Sequence, residues 1–181
     1  MANANLNVSP ELLSCFQKAQ EPSSLVRALK LSIQNETITL LNEITTLTEN
    51  TIENDFNTLL LPLIVENQAC FIIFRLTIIN TTAKWLLIPF IPDNCIVRHK
   101  MLYSSSREDL KKKLGPNLFT TLDYATSTLN DINYELYLNS TKTISNKEIM
   151  TNKERVLQEE HILTNIERDN LGEYKPNIYH I

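Results

Sequence analysis

Apolar positions recur along this chain in two rhythms. Near the N-terminus, Leu12, Leu13, Phe16 and Ala19 have helical spacing. Ser9-Pro10-Glu11 stands ahead of them: a capping hydroxyl, a proline for the first helical position, and an acid for the positive end of the dipole. Leu29, Leu31 and Ile33 then alternate with Lys30, Ser32 and Gln34, which predicts a half-buried strand. Asn35-Glu36 predicts a turn into a second strand carrying Ile38 and Leu40. Ile52, Phe56, Leu59, Leu60 and Leu63 return to the helical period, and Pro62 should stop that helix near Leu61.

Residues 69–79 and 84–91 are rich in β-branched and aromatic side chains and predict central strands covered on both faces, joined by a hairpin at Asn80-Thr81-Thr82. A third helix is expected over about 95–114. Asp93 or Asn94 would cap it, Gly115 would take a left-handed end and Pro116 would block continuation. Residues 118–124 predict a short strand. Leu129, Ile132, Tyr134, Leu136 and Tyr137 predict a fourth helix. This order predicts an α/β (α+β) fold with a central mixed β-sheet flanked by helices on both faces. Beyond Leu138 the chain turns polar, and Thr151 and Glu154 form a capping box ahead of a patchily amphipathic stretch. The expected division is a domain over 1–139 and a partly helical linker or tail over 140–181.

Composition narrows the function classes. With 43% apolar and 21% charged residues in 181, the chain has the balance of a folded domain. Its longest apolar runs are too short to span a bilayer, and the N-terminal stretch lacks the basic start and apolar core of a secretory signal. Three scattered cysteines, Cys15, Cys70 and Cys95, argue against a disulfide framework or a zinc site and suggest a reducing compartment. Gly115 and Gly172 are the only glycines, too few for a phosphate-cradling loop. His99, His161 and His180 lack ligand spacing, and no nucleophile–base pair is evident, so neither enzyme, metal nor cofactor is expected.

Charge is more informative. The chain carries net −4, which disfavours general nucleic-acid binding, yet residues 98–113 alone carry +4. On a helical wheel, Lys100, Ser104, Arg107 and Lys111 share one stripe, with Leu102 and Ser106 roughly opposite; Arg98 falls off the stripe, near the start of the helix. Met101 at the stripe's edge offers a flexible apolar side chain among cations, a combination common on recognition surfaces. Ser104-Ser105-Ser106 is a poor helix interior and predicts a bend.

The run 97–107, Val-Arg-His-Lys-Met-Leu-Tyr-Ser-Ser-Ser-Arg, followed by Leu110-Lys111-Lys112, resembles the long-helix signature of the actin-depolymerising-factor homology (cofilin-like) family. Trp85 and Pro92 match a strand tryptophan and a pre-helix proline of that family. Asp55-Phe56, Leu61-Pro62-Leu63, Phe74-Arg75-Leu76, Leu129, Tyr134, Tyr137 and Leu138 resemble its twinfilin branch. The resemblance covers about residues 9–160. It implies the cofilin-like (gelsolin-like) fold and a cytoplasmic, cytoskeletal protein that sequesters actin monomers, ADP- or ATP-bound, inhibiting assembly and nucleotide exchange. The actin-binding positions it implies are Arg98, Lys100, Met101, Ser104, Arg107 and Lys111. Phosphoinositide binding is also implied, through Lys100, Lys111, Lys112 and Lys113, and the alternative is an adaptor of this fold that binds such lipids or another protein but not actin. The chain departs from filament-binding members in its uncharged hairpin over 78–83, flanked by Arg75 and Lys84, and in Asp131 and Glu135 carried by the expected last helix. Weak filament binding is the expectation. Ala2 stands where cofilins carry a regulatory serine.

Overall fold

A computed structural model describes residues 6–46, 50–79 and 82–149. Five strands form one sheet in the order β1-β3-β2-β4-β5: β1 (Asn7–Val8), β2 (Val26–Gln34), β3 (Thr37–Thr45), β4 (Cys70–Ile79) and β5 (Thr82–Phe90). β1 runs parallel to β3 and the other neighbours are antiparallel, so the sheet is mixed. The helices are α1 (Pro10–Ala19), α2 (Ile52–Leu59), α3 (Val97–Leu114) and α4 (Tyr134–Ile149). Contacts divide the chain into Met1–Leu138 and Asn139–Ile181.

Alternation along the strands sends side chains to two cores. On one face Leu29, Leu31, Phe71, Ile73, Trp85 and Leu87 pack with Leu12 and Phe16 of α1 and with Tyr103 and Leu110 of α3. On the other, Ala28, Ile72, Phe74, Leu86 and Ile88 pack with Phe56 and Leu60 and with Tyr137 of α4. α1 starts as its sequence predicts, with the Ser9 hydroxyl accepting from the Leu12 N–H at 3.2 Å and Pro10 in the first turn.

Several local expectations are corrected. β2 is not half-buried: Ala28, Leu29, Lys30 and Leu31 are all buried, because β2 lies mid-sheet with a helix layer on each face. β5 is an edge strand by pairing. Its far side is closed by residues 119–126, where Thr120, Tyr124 and Thr126 N–H groups donate to Trp85, Leu87 and Pro89 carbonyls at 2.9–3.0 Å. That segment makes only isolated bridges, at Phe119 and Thr126, and is not the predicted strand. α2 ends at Leu59, and Pro62 lies inside a following 3-10 turn, Leu61–Leu63. Leu129 occupies another 3-10 turn, Leu129–Asp131, and Ile132 the residue after it, so α4 begins only at Tyr134, where the Asn133 side chain accepts from Glu135 and Leu136 N–H groups. Thr82 belongs to β5, paired with Ile79; Asn80 and Thr81 of the predicted hairpin, and the tail beyond 149, lie outside the described residues.

Candidate functional site

The long helix α3 lies across the sheet and is held by its inner face. Tyr103, Ser106, Asp109, Leu110 and Leu114 are buried, and the Tyr103 hydroxyl accepts from the Ile33 N–H of β2 at 3.0 Å. Neither Asp93 nor Asn94 caps it: the cap residue is Ile96, whose side chain makes no capping bond. The serine triplet leaves α3 unbroken, and the Ser105 and Ser106 hydroxyls both donate to the Leu102 carbonyl. At the C-terminal end Gly115 has φ +109°. A Cβ there would approach Leu118 to 3.2 Å, so glycine suits both the backbone and the close turn that follows.

The outer face sorts the basic residues into two groups. Lys100 donates to the Asp93 carbonyl at 2.6 Å, Arg107 to the Ser104 carbonyl at 3.2 Å, and Lys113 to the Leu6 carbonyl of the N-terminal segment. Lys111 turns inward. Its side chain is 12% exposed and lies 2.8 Å from Glu108 and 3.2 Å from Asp123, itself 11% exposed. Burial works to lower the Lys111 pKa, but its hydrogen bond to Glu108 and its pairing with Asp123 outweigh that and raise it. Burial pushes the Asp123 carboxyl up, against the pull of Lys111. Arg98 and Lys112 have no hydrogen bond or ion pair among the described residues. The predicted stripe is therefore not one cationic row: Lys111 serves the domain's own interior, and Ser104 is exposed on the outer face.

Met101 is exposed, at 69%, and it has company that hydrophobicity alone does not reveal. Ile96 and Val97 are 66% and 63% exposed on the same opening turns. Three large apolar side chains are thus exposed beside Arg98, whose side chain has no partner among the described residues. A groove of about 850 Å³ adjoins it, lined in part by Leu6, Ile33, Glu36, Arg98 and His99.

At the flanks of the β4–β5 connection, both described cations are engaged within the domain. Arg75 is buried and donates to the Ser24 carbonyl at 2.6 Å; burial, and then the charge of Arg27, lowers its pKa. Lys84 donates to the Asn117 carbonyl at 2.6 Å. Buried Asp55 holds Arg27 at 2.7 Å and also accepts from Thr46 and Asn50. Among the described residues no group of His, Cys, Asp and Glu could hold a metal ion, and no helix is long and apolar enough to cross a membrane.

Comparison with known proteins decides the family. The sequence profile described as cofilin/tropomyosin-type actin-binding protein matches residues 5–162. This chain belongs to that family. Within the cofilin-type family it is similar to twinfilin from Anopheles gambiae, 37% identical over 111 residues that cover 61% of this chain and 31% of that one. It is also similar to twinfilin from Drosophila melanogaster, 32% identical over 133 residues covering 73% and 37%. The match thus spans about a third of those curated relatives. The solved structure of Eh twinfilin superposes with TM-score 0.68 at 28% identity, covering 75% of this chain and 99% of that one. Plasmodium berghei actin depolymerization factor 2, at TM-score 0.62 and 19% identity over 76% and 96%, has the same fold. The resemblance carried by residues 97–112 and by the scattered twinfilin-like positions therefore holds for family and fold. Sequence reasoning gave no role to the exposed Ile96 and Val97; the signal available was the apolar Ile-Val pair directly before Arg98.

Proposed function

We propose that this chain is an actin-binding regulator that sequesters actin monomers, ADP- or ATP-bound, through the opening turns of α3, inhibiting assembly and nucleotide exchange. The observation that carries the reading is the exposed apolar trio Ile96, Val97 and Met101 around the unpaired Arg98, in a chain of the cofilin-type family. Arg98 and Lys100 pair with carboxylates of the partner, Met101 fills an apolar groove, and Ser104 and Arg107 add rim contacts. Lys111 contributes by holding α3 in place. Filament binding is weak, because Arg75 and Lys84 are consumed internally and the hairpin between them is uncharged. The working module is residues 1–139, with 140–181 a linker or tail, and its setting is the cytoplasm and cytoskeleton.

The test is titration of monomeric actin with the chain, read by fluorescence and by the rate of assembly. Assembly should slow in proportion to the amount added. Arg98→Ala with Met101→Ala should weaken binding by about 2–5 kcal/mol, as expected for a desolvated charged contact, with the fold unchanged by circular dichroism. Unchanged affinity in the folded variant refutes the site. A second reading rests on Lys112, which with Lys84 and Lys111 lines a groove of about 400 Å³: a phosphoinositide-binding adaptor of the same fold that does not bind actin. Liposome co-sedimentation beside an actin pull-down separates the two.

A further inference from the structure

The two-residue turn between β2 and β3 is Asn35-Glu36, with φ of +47° and +60°. Positive φ at both central residues is the signature of the tight hairpin turns whose second position favours glycine. Asparagine tolerates that region; glutamate is strained there. Nothing local rewards the strain. Glu36 is exposed, and its carboxylate makes no ion pair or hydrogen bond among the described residues. Its backbone, in contrast, is pinned: the Glu36 carbonyl accepts from the Asn7 N–H at 3.1 Å, so the turn cannot drift. A strained, anchored, unpaired carboxylate is a reason to look for a ligand of that carboxylate.

What lies beside it is the groove of about 850 Å³ next to α3. Leu6, Ile33 and Leu102 give it an apolar floor. The β2–β3 turn contributes Asn35 and Glu36 to its lining and the start of α3 contributes Arg98 and His99, and no ion pair joins the two sides. Each side keeps its charge for an incoming chain.

We propose that Glu36 is a specificity-determining residue of the actin-binding face, and that this groove receives a partner segment carrying an apolar side chain between a basic and an acidic group. The basic group meets Glu36, the acidic group meets Arg98, and the apolar side chain seats on the floor. This rests on the monomer-binding reading above and adds to it a demand for positive charge in the partner, where the basic helix alone demands only negative charge. Charge complementarity fixes the direction of the segment as well as its composition.

The experiment is one titration series with monomeric actin on the full chain: wild type, Glu36→Gln, Glu36→Lys, Glu36→Gly and Arg98→Ala. Glu36→Gln should weaken binding about fivefold, the worth of a partly exposed ion pair, and Glu36→Lys further. Glu36→Gly should lose the same affinity while melting a few degrees higher, since glycine relaxes the turn. If Arg98→Ala weakens binding but Glu36→Gln binds as tightly as wild type, or more tightly, Glu36 only masks Arg98 and the inference is overturned while the reading stands. If Glu36→Gly binds like wild type, the carboxylate has no role and the inference likewise fails. If Arg98→Ala and every Glu36 variant bind as tightly as wild type, both the inference and the reading fall.

Discussion

Replacing Lys111 by glutamine should destabilise the domain and leave the partner-binding surface intact. The ammonium lies 3.2 Å from Asp123 with both side chains almost covered, 12% and 11% exposed. At an effective dielectric constant of about 20 the gross attraction at that distance is about 5 kcal/mol. Desolvation of both groups cancels most of it, and the glutamine amide still offers N–H donors, so the expected net loss is about 1–3 kcal/mol, below that for a fully buried pair. Trp85, the chain's single tryptophan, is fully buried beneath α1 and α3 and reports unfolding by fluorescence. In urea the midpoint should fall by about 0.5–1.5 M for a slope of about 2 kcal/mol per molar. The loss also has a pH signature. Burial already raises the Asp123 pKa, and removing Lys111 raises it further. A group whose folded pKa is raised favours the folded state in its protonated form, so the variant should regain stability as pH falls through that pKa and be weakest at neutral pH and above. Asp123→Asn on the same background should restore part of the midpoint. The reasoning is refuted if Lys111→Gln keeps the wild-type midpoint, or if it loses affinity for actin at unchanged stability; Lys111 would then be a contact residue.

Two further outcomes follow from groups inside the domain. Asp55→Ala leaves the Arg27 guanidinium without its carboxylate and should cost about 3–5 kcal/mol by urea titration, as for a broken buried pair; a loss under 1 kcal/mol would contradict that geometry. The Cys15 thiol donates to Glu43 at 3.1 Å, and burial, then that bond and the glutamate's charge, push its pKa up to about 12. Alkylation near pH 8 should therefore be far slower than for an ordinary thiol, and Glu43→Gln should accelerate it; equal rates would show that burial alone protects the sulfur.

Much of the fold was legible because the information is local. The Ser9-Pro10-Glu11 start of α1, the alternation in β2 and β3, and the β-branched runs of β4 and β5 each specify an element within a few residues. The misreadings have long-range causes. Lys30 looks like the solvent side of a half-buried strand, and only the mid-sheet position of β2 buries it. Lys111 belongs to the stripe by angle, but Asp123, on an irregular segment twelve residues later, draws it inward. Residues 118–124 have strand-like composition, yet they serve β5 by scattered hydrogen bonds rather than a ladder. Residue type alone says nothing of Ile96 and Val97 facing water; that follows from their place at the start of α3. Sequence could name the basic helix, whereas which of its side chains are left unpaired is decided by packing.

The central claim is that the opening turns of α3 meet the partner. Amide hydrogen exchange of the chain, free and saturated with monomeric actin, tests it most directly. Slowed exchange should centre on residues 96–104 and on the β2–β3 turn at Asn35 and Glu36, with α2 and the start of α4 unchanged. Slowing confined to α2 and α4, with residues 96–104 exchanging as in the free chain, would contradict the account.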